Sequence, residues 1–194
     1  AYDDIEPVLA QFDVDVVHES LPIPESSGYL VVKRGDEYLG ALSAAAFGEL
    51  RDPPEEPPWD AATRESAYRE LVALLSGTSF EMAEKRRLVA TAREVEDRAW
   101  RTGRGSLSVT FQSLAAFERQ LPAYERLAEM TDLAVTVFGE PNWEPPPTDG
   151  IEVSRDETGE LAEFWIVAFD GAGDDDAACA LIAEELRPGT YTGV

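Results

Sequence analysis

One cysteine, Cys179, and one histidine, His18, occur in the 194 residues, and only Lys33 and Lys85 are lysine. A single thiol excludes an internal disulfide and a thiolate metal cluster and fits a reducing cytoplasm. Any Ser/His/Asp or Cys/His triad would have to use His18, which ends an alternating stretch and reads first as a solvent-facing residue. No stretch approaches the ~20 consecutive apolar residues of a membrane span. No charged-then-apolar leader opens the chain, so the expectation is a soluble cytoplasmic protein. Its first residue is Ala1, which leaves room for a leader or a partner domain upstream. No basic stripe exists that could track a nucleic-acid backbone.

Negative charge is abundant. Thirty-nine Asp and Glu against sixteen Lys and Arg give a formal net charge of −23 and a sequence pI near 4.2. In dilute buffer such self-repulsion opposes the compact state. An acidic surface almost free of lysine resembles the surfaces of proteins from salt-accumulating halophiles. At ~1 M ionic strength the Debye length falls to about 3 Å and like charges scarcely interact. The hydrophobic share of 44% is ordinary for a globular chain and argues against disorder.

Periodicity predicts an α/β chain with a mixed sheet flanked by helices, in one domain over 1–194 with Pro-rich loops at 51–60 and 139–150. Phe12 to His18 alternates as a strand, and YLVVKRGDEYLGAL reads as two strands around Gly35 and Asp36. Helical patterns cover Ser43–Leu50, Ala61–Leu75 and Glu84–Arg101. On the last of these Leu88, Ala92, Val95 and Ala99 form one apolar face and Gly103 supplies a left-handed cap. Strands are expected at Ser79–Met82 and over SLSVTF, with Leu107, Val109 and Phe111 on one side. Ser113–Met130 reads as a helix that kinks or restarts at Pro122. LAVTVF suggests a strand buried on both faces. A hairpin of Ile151–Ser154 with Leu161–Phe169, a helix over Asp174–Leu186 and a short strand near Tyr191 complete the expectation, with EFWIVAFD as the central strand.

The densest polar cluster is EVEDRAWRTGRG. Helical spacing brings Glu94, Asp97, Arg98 and Arg101 together, with Trp100 in the same turn and Arg104 just beyond it. Two readings stand. The segment is either a preorganised site in which carboxylates orient arginines toward a ligand or partner, or a solvated helix face with pairs Glu94/Arg98 and Asp97/Arg101, each worth only ~0.3–0.5 kcal/mol. FDGAGDDD superficially resembles a cation loop, but Ala172 stands where a ligand is needed, and Asp174–Asp176 read as helix-capping acids. Cys179 in AACAL reads as a small hydrophobe on a helix's inner face, with chromophore attachment as the sharper alternative. The four tryptophans read as core or loop-edge packing. No metal site or cofactor motif emerges.

The stretch LVATAREVEDRAWRTGRGSLSVTFQSLAAF resembles the DICT sensory domain, as in halophilic archaeal members of that family. LPAYERLAEMTDLAVTVFG and EFWIVAFDGAGDDDAACALIAEELRPGTY extend the resemblance. It implies a non-catalytic input module associated with diguanylate cyclases and two-component proteins and suggested to act in light-linked signalling. No catalytic residues come with it. The expected role is to bind a small molecule or a partner signalling domain, without membrane or nucleic acid. The alternatives are a small enzyme using Glu94 and Asp97, for which a deep cavity beside both is required, and a partner-docking domain, for which the helix face should be flat and exposed.

Overall fold

The computed structural model describes residues 2–20, 22, 28–59, 66–82 and 84–194. In chain order it forms α1 (Tyr2–Leu9), β1 (Tyr29–Arg34), β2 (Glu37–Ser43), α2 (Phe47–Arg51), α3 (Ala67–Leu74), β3 (Phe80–Met82), α4 (Lys85–Thr102), β4 (Arg104–Ser113), α5 (Leu114–Glu118) and α6 (Leu121–Met130). There follow β5 (Asp132–Glu140), β6 (Ile151–Arg155), β7 (Phe164–Phe169), β8 (Cys179–Arg187) and β9 (Thr190–Gly193). Seven strands make one mixed sheet in the order β3-β9-β8-β7-β4-β5-β6, while β1 and β2 form a separate antiparallel ribbon. β4, β5 and β6 run parallel, and the remaining neighbours pair antiparallel. This is the expected mixed α/β class, with β7 at the centre of the sheet.

α4 is the spine. It lacks Gly and Pro over 18 residues and ends where Gly103 adopts φ +70° and donates its N–H to Ala99 O, the left-handed C-cap that a residue without Cβ supplies best. Leu88, Ala92, Val95 and Ala99 are all buried, as are Leu107, Val109, Val167, Phe169, Leu181 and Ala183 on the sheet. Burying each large apolar side chain stabilises the fold by roughly 1.5–3 kcal/mol. α5 and α6 cover β4, β5 and β6 on this same face. The register Leu107↔Val135 and Val109↔Val137 places those side chains together, and Tyr124 of α6 reaches Glu96 of α4. α3 packs outside α4. Pro122 stands in the first turn of α6, the expected restart.

Four expectations are corrected. Phe12 makes an isolated bridge to Phe80, and Asp13–His18 is irregular with Val17 79% exposed, because among the described residues no neighbouring strand takes up its alternation. β5 alternates between buried Leu133, Val135 and Val137 and the more open Ala134, Thr136 and Phe138, so only the face under α5 and α6 is fully covered. Ile151–Ser154 and Leu161–Phe169 are not a hairpin: β6 is the sheet edge beside β5, whereas β7 begins at Phe164 and pairs with β4 and β8. Asp174–Leu186 is not a helix, because Cys179–Arg187 pairs with both β7 and β9, and Asp174 instead accepts the N–H of Asp176 in a turn. Ala, Leu and Glu favour helix locally, but the alternation of buried Leu181 and Ala183 with exposed Ala180, Ile182 and Glu184 fits the sheet. The expected helical start at residues 61–65 lies outside the described residues; α3 covers 67–74.

Candidate functional site

The expected cluster forms at the C-terminal half of α4. Spacing of three and four residues stacks its charges, and α3 shields the inner ones from water. Arg98 Nη2 donates to Glu94 Oε1 at 3.3 Å, and Arg101 Nε lies 2.9 Å from Asp97 Oδ2 and its Nη2 4.0 Å from Glu94 Oε1. Arg69 of α3 closes the ladder, with Nη1 3.5 Å from Asp97 Oδ1. The carboxylates are buried while Arg101 is 60% exposed. Burial pushes the Glu94 carboxyl above its ordinary range, against the pull of Arg98. Burial does the same to Asp97, against Arg101 and Arg69.

Trp100 is half-buried against the core. Arg104 does not join the ladder. It is exposed at the first position of β4, its backbone registered with Asp132.

Two spaces meet at this ladder. A narrow cavity of about 60 Å³ runs between α3, α4 and β8, walled by Phe12, Val72, Leu75, Val95 and Leu181, with Thr91, Glu94, Arg98 and Cys179 as its polar margin. A more open depression of about 480 Å³ is lined by Ala73, Glu94, Arg98, Arg101, Thr102 and Asp176. Ala73, Glu94 and Arg98 border both, so the two form a cleft with an apolar inner slot and a charged mouth. Asp97 lines neither space, so the two carboxylates do not flank either of them together. Nor is the helix face flat, since Glu94 is sunk between α4 and α3.

Cys179 is the first residue of β8 and faces the slot rather than lying on a helix. Burial raises its thiol pKa, so it is no ready nucleophile. His18 is exposed in an irregular stretch, well removed in sequence from α4. Among the described residues no group of three His, Cys, Asp or Glu could hold a metal ion.

A second buried network had no counterpart in the sequence reading. Arg93 pairs with Glu96 and donates to Glu55 O at 3.0 Å and Gln120 Oε1 at 3.1 Å, while Tyr124 donates to Glu96 at 2.6 Å. Burial, and then the Glu96 charge, push the Tyr124 hydroxyl well above its ordinary value. This network ties α4 to α6 and to the Pro-rich loop, and lies off the cleft. The i, i+3 spacing of Arg93 and Glu96 was the one signal for it; Tyr124 here, like Arg69 in the ladder, becomes a partner only through tertiary packing.

A family model described as the sensory domain in diguanylate cyclases and two-component systems, DICT, matches residues 65–186. The match takes in α3, α4, most of the cleft and most of the sheet. No curated protein and no solved structure matches the chain.

Proposed function

The chain belongs to the DICT family of sensory domains, and from that premise we propose that it is a signal-input module whose cleft between α3, α4 and β8 receives a small molecule. The observation that supports this most is that Glu94 and Arg98 border both the apolar slot and the charged mouth, and are braced by Arg101, Asp97 and Arg69. Braced charges lose little freedom when a ligand arrives. Occupancy would be relayed through α3. Gly40 of β2 packs so closely on Leu74 that a Cβ there would lie 2.6 Å from Leu74 Cδ2, and Arg34 donates to Ser76 O at 2.9 Å.

In this reading a partner signalling domain takes up the output, in two-component or light-linked signalling. The module works in a cytoplasm of high salt, which the single thiol and the net charge of −23 support. Among the described residues no helix is long and apolar enough to cross a membrane. In this reading the role is non-catalytic, which the engagement of Glu94 and Asp97 by arginines supports.

Native mass spectrometry of the purified protein, incubated with a low-molecular-weight extract, tests the reading. A bound mass is expected for the wild type, and its loss in Ala73→Phe, which fills the cleft. Equal binding by both proteins, or none by the wild type, would overturn it.

A further inference from the structure

We infer that the ligand of this cleft is a zwitterion, a free α-amino acid with a small aliphatic side chain. The inference rests on reading the cleft as a ligand site and adds the chemical class.

The slot sets the size. Its volume is about 60 Å³, whereas a cavity that admits benzene is on the order of 150 Å³ and one water takes about 30 Å³ of liquid. A branch of two to four carbons fits; an aromatic ring does not. The walls are apolar, so such a branch is bound by desolvation.

The rim sets the charge pattern. Glu94 is only 8% exposed, and its carboxyl is held above the ordinary range because burial outweighs the attraction of Arg98. An ammonium group beside it would supply the missing compensation. Arg98 spends Nη2 on Glu94 and Arg101 spends Nε on Asp97. A guanidinium carries five N–H donors in a planar fork, so donors remain at the mouth for a ligand carboxylate, the group this fork matches best.

The mouth is electrically balanced, with Glu94 and Asp176 against Arg98 and Arg101. A simple anion or cation would leave one sign in excess; a zwitterion brings one of each.

Cys179 lines the slot, is half-buried and is the only thiol in the chain; burial makes this thiol slow rather than inert toward iodoacetamide, so its alkylation rate, followed over hours by mass, reports occupancy. The series is L-valine, isovalerate (no ammonium), isobutylamine (no carboxylate), the neutral isovaleramide and L-phenylalanine, all at one salt concentration. L-Valine should slow alkylation in a saturable way. Isovalerate and isobutylamine should bind about tenfold or more weakly, each lacking one charge-assisted contact. L-Phenylalanine should not protect. Arg98→Gln should abolish protection by L-valine, and Glu94→Gln should move the preference toward isovalerate; the wild-type series decides even if a variant fails to fold. Protection by isovalerate, isobutylamine or isovaleramide equal to that by L-valine would overturn the zwitterion while leaving the ligand site standing. No protection by any compound would overturn it too, and the Ala73→Phe mass comparison then decides separately whether the cleft binds anything.

Discussion

The Arg69 guanidinium, 4% exposed, lies 3.5 Å from the Asp97 carboxylate, and among the described residues none of its three nitrogens has a hydrogen-bond partner. Burial lowers its pKa, with Asp97 and then Glu94 opposing. A buried cation held by one long ion pair gains little from that pair, yet is costly to strand. Asp97 is better placed, because its other oxygen keeps Arg101 at 2.9 Å. The two sides of this pair are therefore unequal.

Asp97→Ala should destabilise by about 3–5 kcal/mol, since it removes the ion pair of buried Arg69 and leaves only the weaker pull of Glu94. Arg69→Met should cost well under half of that, because methionine fills similar volume and Asp97 keeps Arg101. Urea unfolding of both variants and of the double variant checks this. Equal costs for the single variants would refute the asymmetry.

Arg101 and Arg104 should also separate. Arg101→Ala removes a charge-assisted bond from a buried carboxylate and should cost ~1–3 kcal/mol, less than full stranding because Arg69 remains near Asp97. Arg104→Ala, at an exposed strand end outside the ladder, should stay within about 0.5 kcal/mol. Urea midpoints of the two variants measure the gap; a larger effect at Arg104 would contradict the placement.

Much of this ladder was legible in the sequence, because α-helical spacing alone brings Glu94, Asp97, Arg98 and Arg101 together. Burial was not: it is imposed by α3, and whether a helix face is covered is a tertiary fact. The same holds for β8. Its Ala, Leu and Glu favour helix locally, and only pairing with β7 and β9 on both sides decides otherwise. The β1 and β2 ribbon, by contrast, carries its own turn at Gly35, φ +62°, and was readable without the rest of the chain. Arg69 left no trace, since nothing in residues 66–70 points to a partner 28 positions away.

The two glycines after α4 differ in what they permit. Gly103, φ +70°, has open space around its missing Cβ, with Trp100 O nearest at 3.8 Å. Gly103→Ala should cost about 1–2 kcal/mol, the penalty of the left-handed region. At Gly105, φ +100°, a Cβ would lie 2.5 Å from Asp170 Oδ1 and 3.1 Å from Ala172 Cα. That oxygen also accepts the N–H groups of Ser106 and Ala172. Gly105→Ala should therefore cost clearly more than Gly103→Ala in urea unfolding. The close approach this glycine allows is to the turn after β7.

The cleft carboxylates should shape the pH dependence. Glu94 and Asp97 hold their protons to higher pH when folded than when unfolded. From the unfolded carboxylate range near about 4 up to the raised folded values, the folded state binds more protons, so this contribution to stability falls as pH rises. Asp156 and Asp170 act oppositely. The N–H groups of Leu161 and Ser106, respectively, hold them below the ordinary range, so their contribution is present at higher pH and lost as pH falls through the folded values. Glu94→Gln should gain stability relative to wild type as pH rises through the first window, measured by urea unfolding at a series of pH values. A gain in the other direction would mean that the arginines overcompensate the buried charge.

Salt provides the remaining test, and it concerns the whole surface. With a net charge of −23 and two lysines, the folded chain concentrates like charges that the unfolded chain spreads apart. Raising KCl from about 0.1 M to about 1 M shortens the Debye length from about 10 Å to about 3 Å and removes most of that repulsion. The melting temperature should rise steeply over this range. Salt also strengthens apolar burial in general, so a second protein separates the two effects. Glu152, Glu163 and Glu184 are exposed, and changing all three to Gln takes the net charge from −23 to −20. This variant should melt higher than wild type at low KCl and converge with it at high KCl. Parallel curves with a constant offset would assign the salt response to apolar burial and reject the charge-repulsion account.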